Sequence, residues 1–380
     1  QILATRGRRA GVQIDNIRFG AAFQVQRTVV FHGYREDERR SGCFVRLAGE
    51  MHMIRHSAPT IGEAEIDACA RVLRSGHLAQ GFHVAAFERE CAAYVGRRHG
   101  VAVNSGTSAL QLALEILGVP RDQSVAIPAY TCAALATAVV QHGAQPFLCD
   151  CGDDYNMDVS GIPSDLPAIA VHMFGASATL PPNPVLVEDI AQAIGAPVGR
   201  TGNVTIISFY ATKLLTTGEG GMLLTDDDAL AEHARDLRDY DNRDVFARRH
   251  NFKMTDFQAA IGSVQLGRLD QFISRRREIA QQYNDAFRSL PMMLPKGDYH
   301  VYSRYVVALE NRDALAIHLK RSGIEAKKPV YKPLHHLGFT PSNCPNADQA
   351  DRQCLSLPIY PSLSDSDVDR IIRAVLAFFA

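Results

Sequence analysis

Residues 203–226 read NVTIISFYATKLLTTGEGGMLLTD. Two apolar runs, VTIIS and MLLT, flank a turn-rich connection that carries one lysine, Lys213. The β-branched content of VTIIS predicts a buried strand, and GGMLLTD predicts another. Neither run alternates apolar with polar residues, so each belongs to a sheet covered on both faces. Lys213 is set in small residues and glycines, a setting that a solvated lysine does not need.

The same pattern extends outward. GVAVN, SVAIP, AQPFLCD, AIAVHMFG and PVLVEDI are further short apolar runs, each closed by a polar turn. Helical segments, notably ALQLALEIL and CAALATAVVQHG, lie between several of them. The order predicts an α/β chain with a mostly parallel seven-stranded sheet covered by helices. On the amino-terminal side, TIGEAEIDACARVLRSG reads as a helix with Ile66, Ala70 and Leu73 on its apolar face and Gly76 as its stop. HVAAFERECAAYVG follows with Phe87, Cys91 and Tyr94 on one face. On the carboxyl-terminal side, residues 255–287 read as one long amphipathic helix, with Thr255 and Gln258 as a capping box. Pro291 and Pro295 then mark a boundary. SRYVVALE, DALAIHLKRSG and DSDVDRIIRAVLAFF beyond it predict a smaller α+β unit. Three segments follow: an atypical arginine-rich extension over 1–55, a large domain with amino-terminal helices over 56–290, and a small domain over 291–380.

Composition narrows the function. Forty Lys and Arg against 41 Asp and Glu give a formal charge of -1, which predicts neither nucleic acid nor an anionic membrane as partner. No apolar run reaches the roughly 18 residues of a membrane span. The amino terminus lacks the order of a signal peptide, so the expected location is cytoplasmic. The eight cysteines are scattered without a C-x-x-C pair and read as reduced thiols. No H-E-x-x-H or similar cluster is present, and no metal is expected.

Ligands of open α/β sheets bind at the carboxyl ends of the strands, so the residues following each run carry the chemistry. After GVAV comes NSGTSAL. Its Ser105 and Gly106 suit a tight turn into a helix, and the amides and hydroxyls of Thr107 and Ser108 suit a phosphate dianion; an ordinary N-cap is the alternative. After PVLVE comes Asp189. A buried lone carboxylate is costly, and a protonated pyridine nitrogen offsets that cost; a cap for a helix starting at Ile190 is the alternative. Gln192, one turn on, is placed for a ring hydroxyl or a nearby backbone group. Ser208 ends its strand with a hydroxyl suited to phosphate, and Lys213 offers an amine for a Schiff base. A phosphate nest, a buried carboxylate and a lysine together point to pyridoxal phosphate.

These residues sit in recognisable motifs. NSGTSAL, PAYTCAAL, VEDIAQAIG, SFYATKLLTTGEGG, NFKMTDFQAAIGSVQL, LPIYPSLSDSDVDRII and PTIGEAEIDACARVLRSGHLAQG resemble the DegT/DnrJ/EryC1/StrS family of sugar aminotransferases from Pro59 onward. The resemblance implies the aspartate-aminotransferase-like fold (fold type I), pyridoxal 5'-phosphate, and a homodimer with shared active sites. It also implies transfer of an amino group from glutamate or glutamine to a keto sugar, commonly nucleotide-linked, or a keto-cyclitol. By motif, Lys213 is the Schiff-base lysine and Asp189 the partner of the pyridine nitrogen. Gln192 lies near the ring hydroxyl, and Thr107, Ser108 and Ser208 hold the phosphate. Asn251 matches an asparagine that reaches the other subunit's cofactor, Lys253 a basic position near the substrate, and His335 a histidine near the substrate entrance.

Two positions depart from the pattern. Cys132 stands where the family usually has an aromatic residue stacked on the cofactor, with Tyr130 nearby as a core residue. His77 stands where a tryptophan is frequent, placed either for the substrate or simply at a helix end. Tyr331, with Lys327, Lys328 and Lys332, forms a candidate wall for a nucleotide-linked sugar; a solvated turn is the alternative for Lys327 and Lys328. The competing readings are a dehydratase, which replaces the lysine by histidine, and a regulatory relative that binds cofactor or sugar without turnover. A nicotinamide dehydrogenase lacks support, because no G-x-G-x-x-G follows an early strand.

Overall fold

The seven apolar runs are seven strands: β1 (His99–Val103), β2 (Ser124–Pro128), β3 (Gln145–Cys149), β4 (Ala168–Val171), β5 (Leu186–Asp189), β6 (Val204–Ser208) and β7 (Gly221–Thr225). The structure is a computed structural model that describes residues 53–297, 299–339 and 343–380. The extension expected over 1–55 lies outside them up to residue 52. The strands form one sheet in the order β1-β7-β6-β5-β4-β2-β3. All are parallel except β7, which runs antiparallel between β6 and β1.

Successive side chains of a strand point to opposite faces, and here both faces are apolar. Val101 and Val103 of β1, with Val204 and Ile206 of β6, join one buried cluster. It includes Leu110 and Leu112 of α3 (Gly106–Ile116) and Leu135 and Val139 of α4 (Ala134–His142). Ala102, Ile207, Met222 and Leu224 point the other way. They meet Phe87 and Cys91 of α2 (Phe82–Val95), and Leu266 and Ile273 further along the chain. The absence of alternation in the sequence therefore reflects two covered faces.

Two expectations are corrected. Helix α1 (Glu63–Ser75) buries Glu65, Ala68 and Val72. Ile66 and Leu73, assigned to its apolar face, are 52% and 53% exposed. The reason is electrostatic: Glu65 Oε1 accepts from Gln265 Nε2 at 2.7 Å and from Arg268 Nη1 at 2.6 Å, which turns that face inward. The helix expected over 255–287 is two, α6 (Asp256–Gly267) and α7 (Leu269–Phe287). They meet at Arg268 (φ -108, ψ -2), which closes α6 and caps α7. The Gln258 carboxamide does cap α6, accepting from the Thr255 N–H at 3.1 Å.

Helix α7 spans two cores. Leu269 and Ile273 belong to the cluster under the sheet. Ile279, Tyr283 and Phe287 enter another, with α8 (Arg312–Arg321), α10 (Asp365–Phe379) and the antiparallel pair β8 (Tyr305–Ala308) and β9 (Cys354–Leu357). Ile54 is buried there too and bridges to Ile324. Helix α5 (Asp228–Arg238) follows β7, and helix α9 (Pro345–Gln353) precedes β9. No helix among the described residues is long and apolar enough to cross a membrane.

The contact between α2 and α6 depends on the absence of a side chain. A Cβ on Gly262 would stand 2.5 Å from Phe87 Cζ, whereas one on Gly267 meets nothing within 4 Å. Gly262→Val should cost about 1–3 kcal/mol by overpacking and lower the urea midpoint. Gly267→Ala should leave that midpoint unchanged or raise it, since alanine favours the helix by about 1 kcal/mol.

Candidate active site

Strand register decides which chain ends meet. Because β7 opposes both neighbours, Gly221 pairs with Val103 at the end of β1 and with Ser208 at the end of β6. The backbones close up there. A Cβ on Gly221 would lie 2.4 Å from the Ser105 carbonyl, and one on Gly106 would lie 2.8 Å from Ser208 Cβ. These glycines bring the amino terminus of α3 beside Ser208. Ser105 Oγ accepts from the Ser108 N–H at 3.1 Å, and Ser108 Oγ donates to Asn104 Oδ1 at 2.7 Å. The Ser108 amide and hydroxyl thus also take part in the helix cap. The Gly106 and Thr107 amides have no acceptor among the described residues, and they lie at the positive end of α3.

Asp189 ends β5, buried. Its Oδ1 accepts from the Ala191 N–H at 2.8 Å. Burial raises its pKa above the ordinary carboxylate value, against the opposing effects of the Ala191 hydrogen bond and of Lys213 and His172. No helix starts at Ile190, so Asp189 is not the cap of one. A buried carboxylate with this little compensation matches a cationic ring nitrogen.

The turn after β6 carries Lys213, whose N–H donates to the Tyr210 carbonyl at 2.9 Å. A cavity of about 290 Å³ opens beside it, lined by Cys132, Gln192, Arg304, Tyr331 and Lys332 among others. Gln192 is held by its Oε1, which accepts from the Phe174 N–H at 3.1 Å; it therefore serves a backbone group. Cys132 is exposed, while Tyr130 is fully buried in the core. Thr131 Oγ1 and Ser303 Oγ, also in the cavity wall, are buried without a hydrogen-bond partner. The cavity thus offers an amine, unpaired hydroxyls and a neighbouring buried carboxylate, and these residues fit pyridoxal phosphate.

Other expected residues lie elsewhere. His77 is exposed just beyond α1, where Gly76 ends the helix in the left-handed region (φ 76). The following LAQG stretch docks on α6 instead, Asp256 accepting from the Gly81 and Val84 amides at 2.8 and 3.0 Å. Asn251 is exposed, its backbone carbonyl accepting from Asn104 Nδ2 at 3.3 Å. Lys253 does not line the cavity. It pairs with Asp239 at 2.6 Å and Asp241 at 2.9 Å, which raise its pKa. His335 is likewise outside, bonded to Asp348 Oδ1 at 2.9 Å, an oxygen that His336 shares at 2.9 Å. Lys327 and Lys328 pair with Glu325 and Asp351.

The sequence reading passed over the residues that stiffen this edge. Glu188, beside Asp189, accepts from the Gly199, Thr201 and Gly202 amides at 2.6, 3.0 and 3.0 Å and from His172 Nε2 at 3.1 Å. His172 Nδ1 accepts from the Ala178 N–H at 2.9 Å, so Nε2 carries the proton. Glu188 ends an apolar run with no local partner in the sequence, and only pairing distant in sequence reveals it as an anchor.

A parallel sheet with a lysine, a buried carboxylate and a helix amino terminus at its carboxyl edge defines a pyridoxal-phosphate enzyme of fold type I. The profile of the DegT/DnrJ/EryC1/StrS aminotransferase family matches residues 59–376, and the chain belongs to that family. It is 34% identical to a dTDP-3-amino-3,4,6-trideoxy-alpha-D-glucose transaminase of Micromonospora megalomicea subsp. nigra, over 82% of this chain and 93% of that protein. The crystal structure of S. venezuelae DesV in complex with a ketimine intermediate superposes with a TM-score of 0.77 at 33% identity, covering 83% of this chain and 94% of that one. The PLP form of a putative sugar aminotransferase, Spr1654 of Streptococcus pneumoniae, gives a TM-score of 0.77 at 27% identity, covering 85% and 98%. The protein is a pyridoxal-phosphate-dependent aminotransferase.

Burial pushes the Glu188 pKa up, but the His172 and backbone hydrogen bonds outweigh it and hold the carboxyl at about 2. A pKa depressed in the folded state stabilises fully above the unfolded value of 4.5, and that stability is lost as pH falls toward 2. Glu188→Gln should therefore cost about 3 kcal/mol at neutral pH. Its deficit against the parent should shrink between pH 5 and 2 in denaturant titrations. A deficit independent of pH would contradict this account.

Proposed function

We propose that the protein moves an amino group from glutamate or glutamine to a nucleotide-linked keto sugar. The observation that carries this reading is Lys213 standing in a cavity beside the buried carboxylate of Asp189. The names of similar proteins, a dTDP-amino-sugar transaminase and a GDP-perosamine synthase, support a sugar acceptor. Retention of Lys213 disfavours a dehydratase.

The cofactor, when bound, supplies an aldehyde and a cationic ring that accepts electrons. Lys213 Nζ, which has no ion pair among the described residues, would hold the cofactor through its aldehyde and would be placed to move a proton. Asp189 keeps the ring nitrogen protonated, its own burial making the ion pair strong. Ser208, the Thr107 hydroxyl and the Gly106 and Thr107 amides take the phosphate. Cys132 faces the cavity where family members place an aromatic ring. Tyr331 and Lys332 stand at the open side of the cavity, and Tyr331, 90% exposed, is free to lie on a substrate.

We read 56–290 and 291–380 as large and small domains, the second built on β8, β9, α8 and α10, whose core also takes in Ile279, Tyr283 and Phe287 of α7. We also propose a homodimer with shared sites. Ile66, Leu73, Leu78 and Phe82 leave an apolar surface near His77, larger than a lone side chain explains, and the Asn251 side chain has no partner among the described residues. A cytoplasmic location is supported by the free thiols of Cys69, Cys91, Cys132, Cys149, Cys151, Cys344 and Cys354.

Borohydride reduction of the holoenzyme should leave the cofactor's mass on the peptide carrying Lys213. Lys213→Ala should lose that label and slow conversion of the cofactor to its amine form by at least about a hundredfold. Label on another lysine, or a variant as fast as the parent, would remove Lys213 from the mechanism. Mixing Lys213→Ala subunits with Asn251→Ala subunits should restore part of the activity, because one site of the hybrid is intact. Proven subunit exchange without recovery would count against shared sites.

A further inference from the structure

Arg304 enters β8 at the cavity wall, its N–H donating to the Phe174 carbonyl at 3.3 Å. Other arginines buried in this structure are paired. Arg97 donates to the Gly199 and Gly202 carbonyls and to Asp226. Arg238 meets Glu88 and the Ala102 carbonyl, Arg276 the Tyr302 and Ile359 carbonyls, and Arg312 the Asp351 carbonyl. The Arg304 guanidinium has no hydrogen bond or ion pair among the described residues. Its surroundings do not compensate. The cavity lining carries Lys213, Arg304 and Lys332 and no carboxylate. Burial lowers the Arg304 pKa from its ordinary value, and nearby His56 and Arg276 are depressed by burial and then by Arg304 itself.

We infer that Arg304 binds a substrate carboxylate. A planar guanidinium pairs a carboxylate through two parallel hydrogen bonds, which an ammonium cannot reproduce. An unpaired cation kept in a cavity costs stability that an entering anion returns. The cofactor phosphate is not that anion, because its cradle lies at Gly106, Thr107 and Ser208. The carboxylate has two sources with one chemistry, the amino donor or a uronic-acid acceptor. This inference rests on the proposal that the cavity takes the substrates of transamination.

The test is calorimetric binding to the holoenzyme, with three probes: glutarate for the donor, UDP-glucuronate for an acidic acceptor and UDP-glucose for a neutral one. Arg304→Met and Arg304→Gln should each weaken one carboxylate probe by about ten- to a hundredfold, with Arg304→Lys in between and UDP-glucose unchanged. Loss confined to glutarate assigns Arg304 to the donor. Loss confined to UDP-glucuronate, with its preference over UDP-glucose abolished, assigns it to the acceptor. Equal affinities in parent and variants, or no carboxylate binding by the parent, would overturn the inference. Borohydride labelling of Lys213 in the same samples reports cofactor attachment separately, so failure of the proposed function is distinguishable from failure of the Arg304 assignment.

Discussion

The site depends on a close backbone approach at Gly221. One antiparallel strand, β7, sits between two that run the other way, and its first residue stands between the ends of both. Any Cβ there would collide with the Ser105 carbonyl at 2.4 Å. Glycine allows the approach, and the approach brings the amino terminus of α3 to Ser208. An anion site then arises from backbone amides that no other group claims. The placement of these amides is thus a by-product of how three strands close.

Two adjacent carboxylates show how direction within a strand divides labour. Glu188 points to one face and is saturated by three amides and an imidazole. Asp189 points to the other, buried with a single amide donor. Both lose hydration, but the first is repaid by hydrogen bonds, and its pKa falls. The second is not, and its pKa rises. Full satisfaction makes a structural anchor; incomplete satisfaction makes a residue that responds to a cation in the cavity.

Arg304 follows the same logic with the opposite sign. Most of the buried arginines named here hold backbone carbonyls, where their charge is shared among fixed dipoles. Arg304 faces a cavity whose wall bears only cations, and its environment resembles an unsatisfied Asp189. Incompletely compensated charges on either side of one cavity describe the polarity of what enters it.

Strand and helix identity was legible in the sequence, because period and composition are local: each of the seven apolar runs is a strand, and Thr255 with Gln258 caps a helix. The placement of Lys213, Asp189 and Gln192 at or just past strand ends was legible too, since apolar runs and the turns that close them are local. The inward face of α1 was not legible, because Gln265 and Arg268, some 200 residues from Glu65, decide it. Neither were the ion pairs of Lys253 with Asp239 and Asp241 and of His335 with Asp348, which arise only when the chain folds. Local pattern determines what a segment becomes. Only tertiary structure decides which charges meet a partner, because burial and pairing are properties of residues brought together from distant parts of the chain.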